Sequence, residues 1–391
     1  MSLTLNNPEK FAKPANISKE KLDNAIKAAC DRLAKLIPAF EQAFPGTCSQ
    51  DFKYVPGENR NWECGMFTGC FWLAYLLSGD EKFKKVAEKH LDTYKWRLDE
   101  KIGLNDHDVG FVFTPSCVGG WKACGNEYAK ELAIKGAEEM FAHYTPVGKY
   151  ILHTGYPGGL TSWRIIVDTM MNAPILFWAG KELGREEYTK AAVDHCYKTI
   201  ENIVREDGST WHHFQFEAET FKPLHPYSGQ GYSLEGCWSR GNSWGVYGFP
   251  IAYSYTKNED FKNVHEKISS YYLNHLPEDY VPYWDFFFTD GSGEERDASA
   301  GAIAVCGFNE MAKHIEDGET KTVYENAATL ILNSLIEKYA NYDNDNADGV
   351  LLEVTHTKPG KQGVGECAVY GDYFYFEALA RYALKDFKMF W

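Results

Sequence analysis

The sequence predicts an all-α fold, an (α/α)6 barrel in which six helical hairpins close into a two-layered toroid. Three observations carry this. A helix–turn–helix grammar, an apolar small-residue helix followed by an amphipathic one, returns at intervals of roughly 50 to 70 residues. Each end of the chain holds one helix without a sequence neighbour to pair with, so end can meet end. No Pro/Gly/Ser-rich linker or change of composition divides the 391 residues, and 1–391 reads as one toroidal domain.

Taken in order, the first helix spans about 18–40. Leu22, Ile26, Leu33, Ile37 and Phe40 fall on one face, and the helix stops before Pro45 and Gly46. GMFTGCFWLAYLLSGDEKFKKVAEKHLDTY is the first full hairpin: an almost wholly apolar helix, a polar turn at Ser78 to Asp80, and an amphipathic helix from Glu81. SCVGGWKACGNEYAKELAIKGAEEMFAHY repeats it with Asn126 at the turn, and DTMMNAPILFWAGKELGREEYTKAAVDHCYKTI turns at Gly184. NSWGVYGFPIAYSYTKNEDFKNVHEKISSYYLNHL and ASAGAIAVCGFNEMAKHIEDGETKTVYENAATLILNSLIEKY follow. In four copies a polar–aromatic step opens the second helix: Glu81/Phe83, Glu187/Tyr188, Glu259/Phe261 and Thr322/Tyr324. YGDYFYFEALARYAL, from Tyr370, is a sixth apolar helix whose partner is the helix at 18–40. Inner helices would be small and aromatic, outer ones charged on one face. An open solenoid would need polar caps at both ends; the terminal helices are apolar, which favours closure.

In a closed ring the loops entering the inner helices gather over one end of the cavity. The residues there are Trp62, His107–Asp108, Asp168, Trp238–Arg240, Asp297 and the Thr355–Tyr370 segment. Helix N-termini converging there suit an anionic ligand.

Composition removes several function classes. A net charge of −15 with no basic run argues against nucleic acid. No apolar run reaches membrane-span length, and the N-terminal MSLTLNNPEKFAKP lacks the features of a signal peptide, so a cytoplasmic protein is expected. The ten cysteines include no CxxC pair and read as buried reduced thiols. No zinc spacing is present, and Asp343, Asp345 and Asp348 read as a polar turn because no Glu closes an EF-hand. No metal and no cofactor is expected: GxGxxG, Walker and GxSxG motifs are all missing. The expected assembly is a monomer or weak homodimer. The 11 Trp, 25 Tyr and 24 Phe fill cores, and such rings also stack on sugars.

The chemistry centres on SWRIIVDTMMNAPILFWAG, ending at Gly180, where Asp168 is the one acid of a small and apolar run. A buried carboxylate must be satisfied or used. Ile165 to Val167 read as extended and Thr169 onward as helix, so Asp168 is either an N-cap or a working acid. Asp108 in DHDVGF stands at the mouth of the neighbouring hairpin, where its plain alternative is a cap or a pair with His107. Two acids together push one proton affinity up, as general acid catalysis on an ether or glycoside requires. Arg240, flanked by Trp238 and Trp244 in GCWSRGNSWGVYGF, fits a sugar carboxylate or a core Arg–Trp stack. His212, His213 and Gln230 are candidate hydroxyl contacts, and Lys358 and Lys361 candidate contacts to a charged leaving sugar.

HDVGF, IIVDTMMNAPILFWAG, STWHHF, GQGYS followed by CWSRGNSWGVYGF, and DASAGA (Asp297 to Ala302) together resemble the unsaturated glucuronyl hydrolases, glycoside hydrolase family 88, from about Trp62 to the C-terminus. The resemblance implies a six-fold double-helix toroid without metal. The implied substrates are lyase-generated oligosaccharides, such as glycosaminoglycan disaccharides, whose non-reducing uronic acid carries a C4=C5 double bond. It makes Asp168 the general acid/base and Asp108 the second catalytic carboxylate. Trp62, His107, His212, Gln230, Trp238, Arg240 and Trp244 take substrate-contacting positions. The implied reaction is vinyl-ether hydration. Asn242–Ser243 and His153 depart toward the related unsaturated rhamnogalacturonyl hydrolases of family 105, which bears on the leaving sugar. A conventional inverting glycosidase on the same toroid and a non-catalytic sugar-binding protein are the alternatives.

Overall fold

In the computed structural model, which describes residues 3–159 and 161–391, Ser18 caps α1 (Lys19–Phe40) by accepting the Lys21 N–H. The hairpins follow as expected. α2 (Cys64–Ser78) pairs with α3 (Glu81–Asp99). The next inner helix is broken: α4 (Val109–Phe113), a π segment (Thr114–Val118) that absorbs Pro115, and α5 (Gly119–Cys124), followed by outer α6 (Glu127–Ala142). Short strands β1 (Tyr144–Thr145), β2 (Tyr150–Ile151) and β3 (Arg164–Ile166) precede α7 (Thr169–Asn172). Pro174, which has no N–H to donate, separates α7 from α8 (Pro174–Leu183), and α9 (Glu186–Asn202) packs outside. β4 (His213–Phe216) and β5 (Pro223–Tyr227) lead to α10 (Ser239–Thr256) and α11 (Glu259–Asn274). α12 (Ala298–Ala312), α13 (Glu319–Ser334) and α14 (Val369–Ala383) complete the chain.

The inner helices touch in the order α2, α4, α7, α10, α12, α14 and back to α2, and α1 packs on both α14 and α2. The toroid is therefore closed by the first and last helices, as their bare apolar faces require. Glycines on the inner helices mark the places where their backbones meet. A Cβ on Gly110 would lie 2.2 Å from the Asn172 carbonyl oxygen, and one on Gly307 2.5 Å from that of Val246. The aromatic opening each outer helix is its anchor: Phe83, Tyr188, Phe261 and Tyr324 are all buried. The inner-to-outer turn is one device used repeatedly, with Gly79, Gly125 and Gly184 in the left-handed region at φ 69°, 70° and 65°, and Lys257 there at φ 53° in the fourth copy.

Trp391 stacks on Phe374 at 5.8 Å and meets Phe111 edge-on at 6.0 Å. Antiparallel β3–β4–β5 forms a small sheet with Ile166 opposite His213, and His213 opposite Tyr227. Helical periodicity carries no trace of this sheet, which walls one side of the mouth. Asp345 and Asp348 in the polar turn near α1 pair with Lys35 and Lys53. All ten cysteines are free, and all but Cys48 and Cys124 are buried. No helix among the described residues is long and apolar enough to cross a membrane.

Candidate active site

Asp108 and Asp168 stand at the N-cap positions of α4 and α7, yet neither side chain makes a capping hydrogen bond. Capping, the plain alternative for Asp168, is thereby removed. Both side chains turn instead into a cavity of about 480 Å³, within the roughly 300–1,000 Å³ range of small-molecule sites. Five of the six helix mouths contribute to it: those of α2, α4, α7, α10 and α14. The mouth of α12 acts from behind, because Asp297 is fully buried and holds Arg240.

Asn172, one turn into α7, ties the two acids together. Its Nδ2 donates to Asp108 Oδ1 at 3.3 Å and to the Asp168 carbonyl at 3.2 Å, while its Oδ1 accepts the Phe111 N–H at 2.6 Å. Sequence reasoning passed over Asn172; its signal was the i, i+4 spacing from Asp168.

Burial pushes the Asp168 carboxyl up to about 6, although His107, Arg240 and Trp244 each pull it down. His212 lies beside it, Nε2 at 3.8 Å from Asp168 Oδ2. His212 Nδ1 accepts the N–H groups of Gly229 and Gln230, both at 3.1 Å. The proton of the neutral ring must then sit on Nε2, facing Asp168. Burial first, then the neighbouring His153 ring and the cations Arg240 and His107, keep that ring uncharged.

His107 is the opposite case. Although burial works against its charge, Asp108, Asp106 and Asp168 raise its proton affinity well above the ordinary. Its Nδ1 is 2.7 Å from Asp106 Oδ1 and its Nε2 3.2 Å from Asp108 Oδ1. Asp108 is pushed up by burial and by its neighbours Asp106 and Asp168, with His107 opposing. Asp106, His107 and His153 bring donor atoms within 4.8 Å of one another, a spacing that could hold a metal ion. Both His107 nitrogens already face carboxylates, Asp106 and Asp108, so the trio is accounted for as an ion-paired cluster.

Arg240 does not present the expected two-pronged clamp. Nη1 donates to Asp297 Oδ2 and, at 2.7 Å, to the Thr355 carbonyl; Nη2 donates to Gln230 Oε1 at 3.1 Å and the His356 carbonyl at 2.6 Å. All four terminal N–H bonds are directed at the protein. The guanidinium, sandwiched between Trp238 at 4.6 Å and Tyr370 at 4.8 Å, is a keystone joining three helix mouths. Trp244 is likewise mostly core, packed on Phe111 and Phe374, and Trp238 is nearly buried against His212. Trp62 is half-buried, stacks on Tyr370 at 5.3 Å and lines the cavity. Gln230 lines the cavity with its oxygen held by Arg240.

The two lysines lie outside this set. Lys358 is paired with both Glu294 and Glu295. Lys361 is exposed and borders a separate groove beside Thr47, Cys48 and Asn61. Asn242 and Ser243, taken as bearing on the leaving sugar, are buried and bond the Gly208 carbonyl and the Ser239 and Ala300 carbonyls, away from the cavity. His153 does line it, as do His213 and Arg164, the last not recognised in the sequence. His153 stacks on His107 at 4.8 Å.

The family model Glycosyl Hydrolase Family 88 matches residues 37–387. An unsaturated chondroitin disaccharide hydrolase of Streptococcus pneumoniae is 37% identical over 388 residues, covering 99% of this chain and 98% of that protein. The crystal structure of unsaturated glucuronyl hydrolase from Streptococcus agalactiae superposes with a TM-score of 0.96 at 37% identity, over 100% of this chain and 98% of that one. An Asp-to-Asn mutant of the S. agalactiae enzyme, solved in complex with dGlcA-GalNAc6S, superposes with a TM-score of 0.88 at 36% identity, over 100% of both chains. With the family model matching most of its length and relatives matching end to end, the chain belongs to glycosyl hydrolase family 88.

Proposed function

We propose that this enzyme hydrolyses unsaturated uronyl disaccharides of the chondroitin type, releasing the C4=C5 unsaturated uronic acid from its partner sugar. The relatives' names and their fit along the whole chain support the reaction. The observation that carries the chemistry is Asp168, a carboxyl held up near 6 that makes no cap bond and faces the cavity.

In this reading Asp168 gives its proton to C4, and the C4=C5 electrons form the new C–H bond, leaving oxocarbenium character on C5 and the ring oxygen. Water attacks C5, and the Asp168 carboxylate takes the proton that water loses. One residue is thus acid and then base, and ends as it began. The C5 hemiketal opens by breaking its bond to the ring oxygen, and the hemiacetal left at C1 releases the partner sugar. Asp108, fixed by Asn172 and His107, stands where it can counter the developing positive charge or hold a hydroxyl. Trp62 offers a ring face to the sugar. The neutral His212 donates from Nε2 toward Asp168 or the substrate beside it.

The test is loss of ultraviolet absorbance from the conjugated uronate on incubation with an unsaturated chondroitin disaccharide. Retained absorbance with release of a uronic acid that still carries its C4=C5 double bond would replace this reading by ordinary glycoside hydrolysis. We also place the enzyme in the cytoplasm as a monomer or weak homodimer; the free, mostly buried thiols support a reducing compartment.

A further inference from the structure

The six inner helices enclose an axis, and a residue from outside all six stands on it. Trp391, fully buried, meets Phe111 of α4 edge-on at 6.0 Å and Tyr247 of α10 at 6.4 Å, and stacks on Phe374 of α14 at 5.8 Å. In the ring order α2, α4, α7, α10, α12, α14 these are every second helix, so the indole lies at the centre of the ring. Its depth follows from the same contacts, because all three helices start at the mouth. Phe111 is three residues past Asp108, Phe374 four past Tyr370 and Tyr247 seven past Arg240. At the helical rise per residue this sets Trp391 roughly 5–10 Å below the mouth. It lines no part of the cavity and lies under residues that do.

Two groups hold it there. Lys122 of α5 donates from Nζ to the main-chain oxygens of Met389, Phe390 and Trp391 at 2.9, 3.0 and 2.9 Å. The indole Nε1 donates to Glu377 Oε2 at 2.9 Å, and Arg381 balances that buried carboxylate. Filling an apolar gap requires neither bond; together they fix the indole in one orientation. What rests on it is the floor of the active site. Phe111 touches Trp62 at 5.2 Å and Trp244 at 5.3 Å, both lining the cavity. The Phe111 N–H also bonds the Asn172 side chain that joins Asp108 to Asp168. Phe374 backs Trp244 at 5.5 Å.

Resting on the proposed role of Asp168, we infer that Trp391 is a positioning residue for the reaction: an axial plug that props Phe111 and Phe374 beneath the cavity and keeps water from reaching Asp168 along the ring axis. A smaller side chain would leave space beside the Glu377 carboxylate and the Tyr247 hydroxyl, polar groups that hold water. Burial is the largest influence on the Asp168 carboxyl, so hydration from below would let its proton affinity fall toward the ordinary 3.8. His107 and Asp108 face Asp168 from the mouth of α4, Arg240 from α10 and His212 from beside β4. Lys122, Glu377, Arg381 and Glu310 surround the plug. Substitution at Trp391 leaves every one of these groups in the chain.

The experiment compares wild type, Trp391→Leu and Trp391→Phe on an unsaturated chondroitin disaccharide, with Phe261→Leu in the outer layer as the control for lost stability. At a temperature where circular dichroism shows all four folded, Trp391→Leu is expected to lose at least tenfold in kcat/KM. The basic midpoint of its pH profile should fall by half a unit or more. Trp391→Phe keeps a ring on Phe374 and should stay within threefold of wild type. Phe261→Leu should lower Tm with kcat/KM within twofold and the midpoint unmoved. A second readout needs no turnover: the Tm gain from Asp168→Asn at pH 7.5 should at least halve in the Trp391→Leu background. Trp391→Met, whose flexible chain fills irregular gaps, carries the same comparisons if Trp391→Leu does not fold. Folded Trp391→Leu within twofold of wild type would overturn the inference. So would a loss of activity with the midpoint unmoved and the full Asp168→Asn gain retained, which is the signature of a structural role alone. A wild type inactive on the disaccharide would overturn the reaction instead, and the Tm comparison would still decide the plug.

Discussion

His212 approaches Asp168 with the one nitrogen it can donate from. Its Nδ1 is occupied by the Gly229 and Gln230 amides, and its Nε2 stands 3.8 Å from Asp168 Oδ2. Neither Nε2 nor Oδ2 has a hydrogen-bond partner closer than the other. The pair is therefore set just beyond bonding distance, and both atoms are left for a group of the substrate beside them. A charged His212 would pull the Asp168 proton affinity down; a neutral one leaves burial in control, which holds the acid up at about 6.

Replacing Asp168 by Asn should abolish turnover by several orders of magnitude while retaining binding, because the proton donor is lost and the shape kept. The same change should stabilise the fold. Asp168 binds its proton more tightly in the folded protein, at about 6, than at the ordinary 3.8. Its contribution to stability is therefore full below 3.8 and lost as pH rises through 6. At pH 7.5 Asp168→Asn should gain on the order of 2 kcal/mol, read as a Tm increase of a few degrees, and the gap should close toward pH 4. A Tm that falls at both pH values would return Asp168 to a structural role.

The pH profile of kcat/KM should fall tenfold per unit on its basic side, from a midpoint near 6, since the acid form of Asp168 starts the reaction. Of the charges around Asp168, His107 pulls its proton affinity down most. His107→Asn removes that cation, so the basic midpoint should move to higher pH while the maximal rate falls. A profile whose midpoint stays put in this variant would assign the limb to another group.

Helical periodicity and turn residues made the hairpins legible, because each inner helix is apolar around its whole circumference and each outer helix on one face. The acids were legible too, as polar residues at the start of apolar runs. What escaped was set by pairing across long sequence separations. Lys358 looked available because Glu294 and Glu295, its partners, are over sixty residues away. Arg240 looked like a clamp because Asp297 and the Thr355 and His356 carbonyls are invisible from GCWSRGNSW. Arg164 was missed for the opposite reason: in a strand its side is set by the register with β4, which no helical pattern encodes.

The keystone role of Arg240 separates from a substrate clamp by its dependence on Asp297. Arg240→Gln and Asp297→Asn should each lower Tm and depress both kcat and 1/KM, on the scale of about 3–5 kcal/mol for breaking a buried ion pair. Because each leaves the other uncompensated, the double variant should lose markedly less than the sum. Additive losses, or a loss of kcat/KM from Arg240→Gln at unchanged Tm, would mean that Arg240 contacts substrate directly.

The last prediction concerns the backbone contact beneath the acids. A Cβ on Gly110 would lie 2.2–2.6 Å from the Asn172 carbonyl oxygen, Cα and carbonyl carbon, and backbone atoms inside a packed ring have nowhere to go. Asn172 is also the residue whose amide joins Asp108 to Asp168. Gly110→Ala should therefore move the acids apart, costing activity well over a hundredfold along with stability. Gly79→Ala supplies the contrast. Gly79 has φ 69°, with nothing within 4 Å of an added Cβ. Its substitution costs only left-handed backbone strain, about 1 kcal/mol, far from the cavity. Measured side by side, Gly79→Ala should lower Tm and leave kcat/KM intact, while Gly110→Ala should lose kcat/KM even at temperatures where it remains folded. If folded Gly110→Ala kept near-wild-type kcat/KM, the alignment of Asp108 with Asp168 would not depend on the α4–α7 contact.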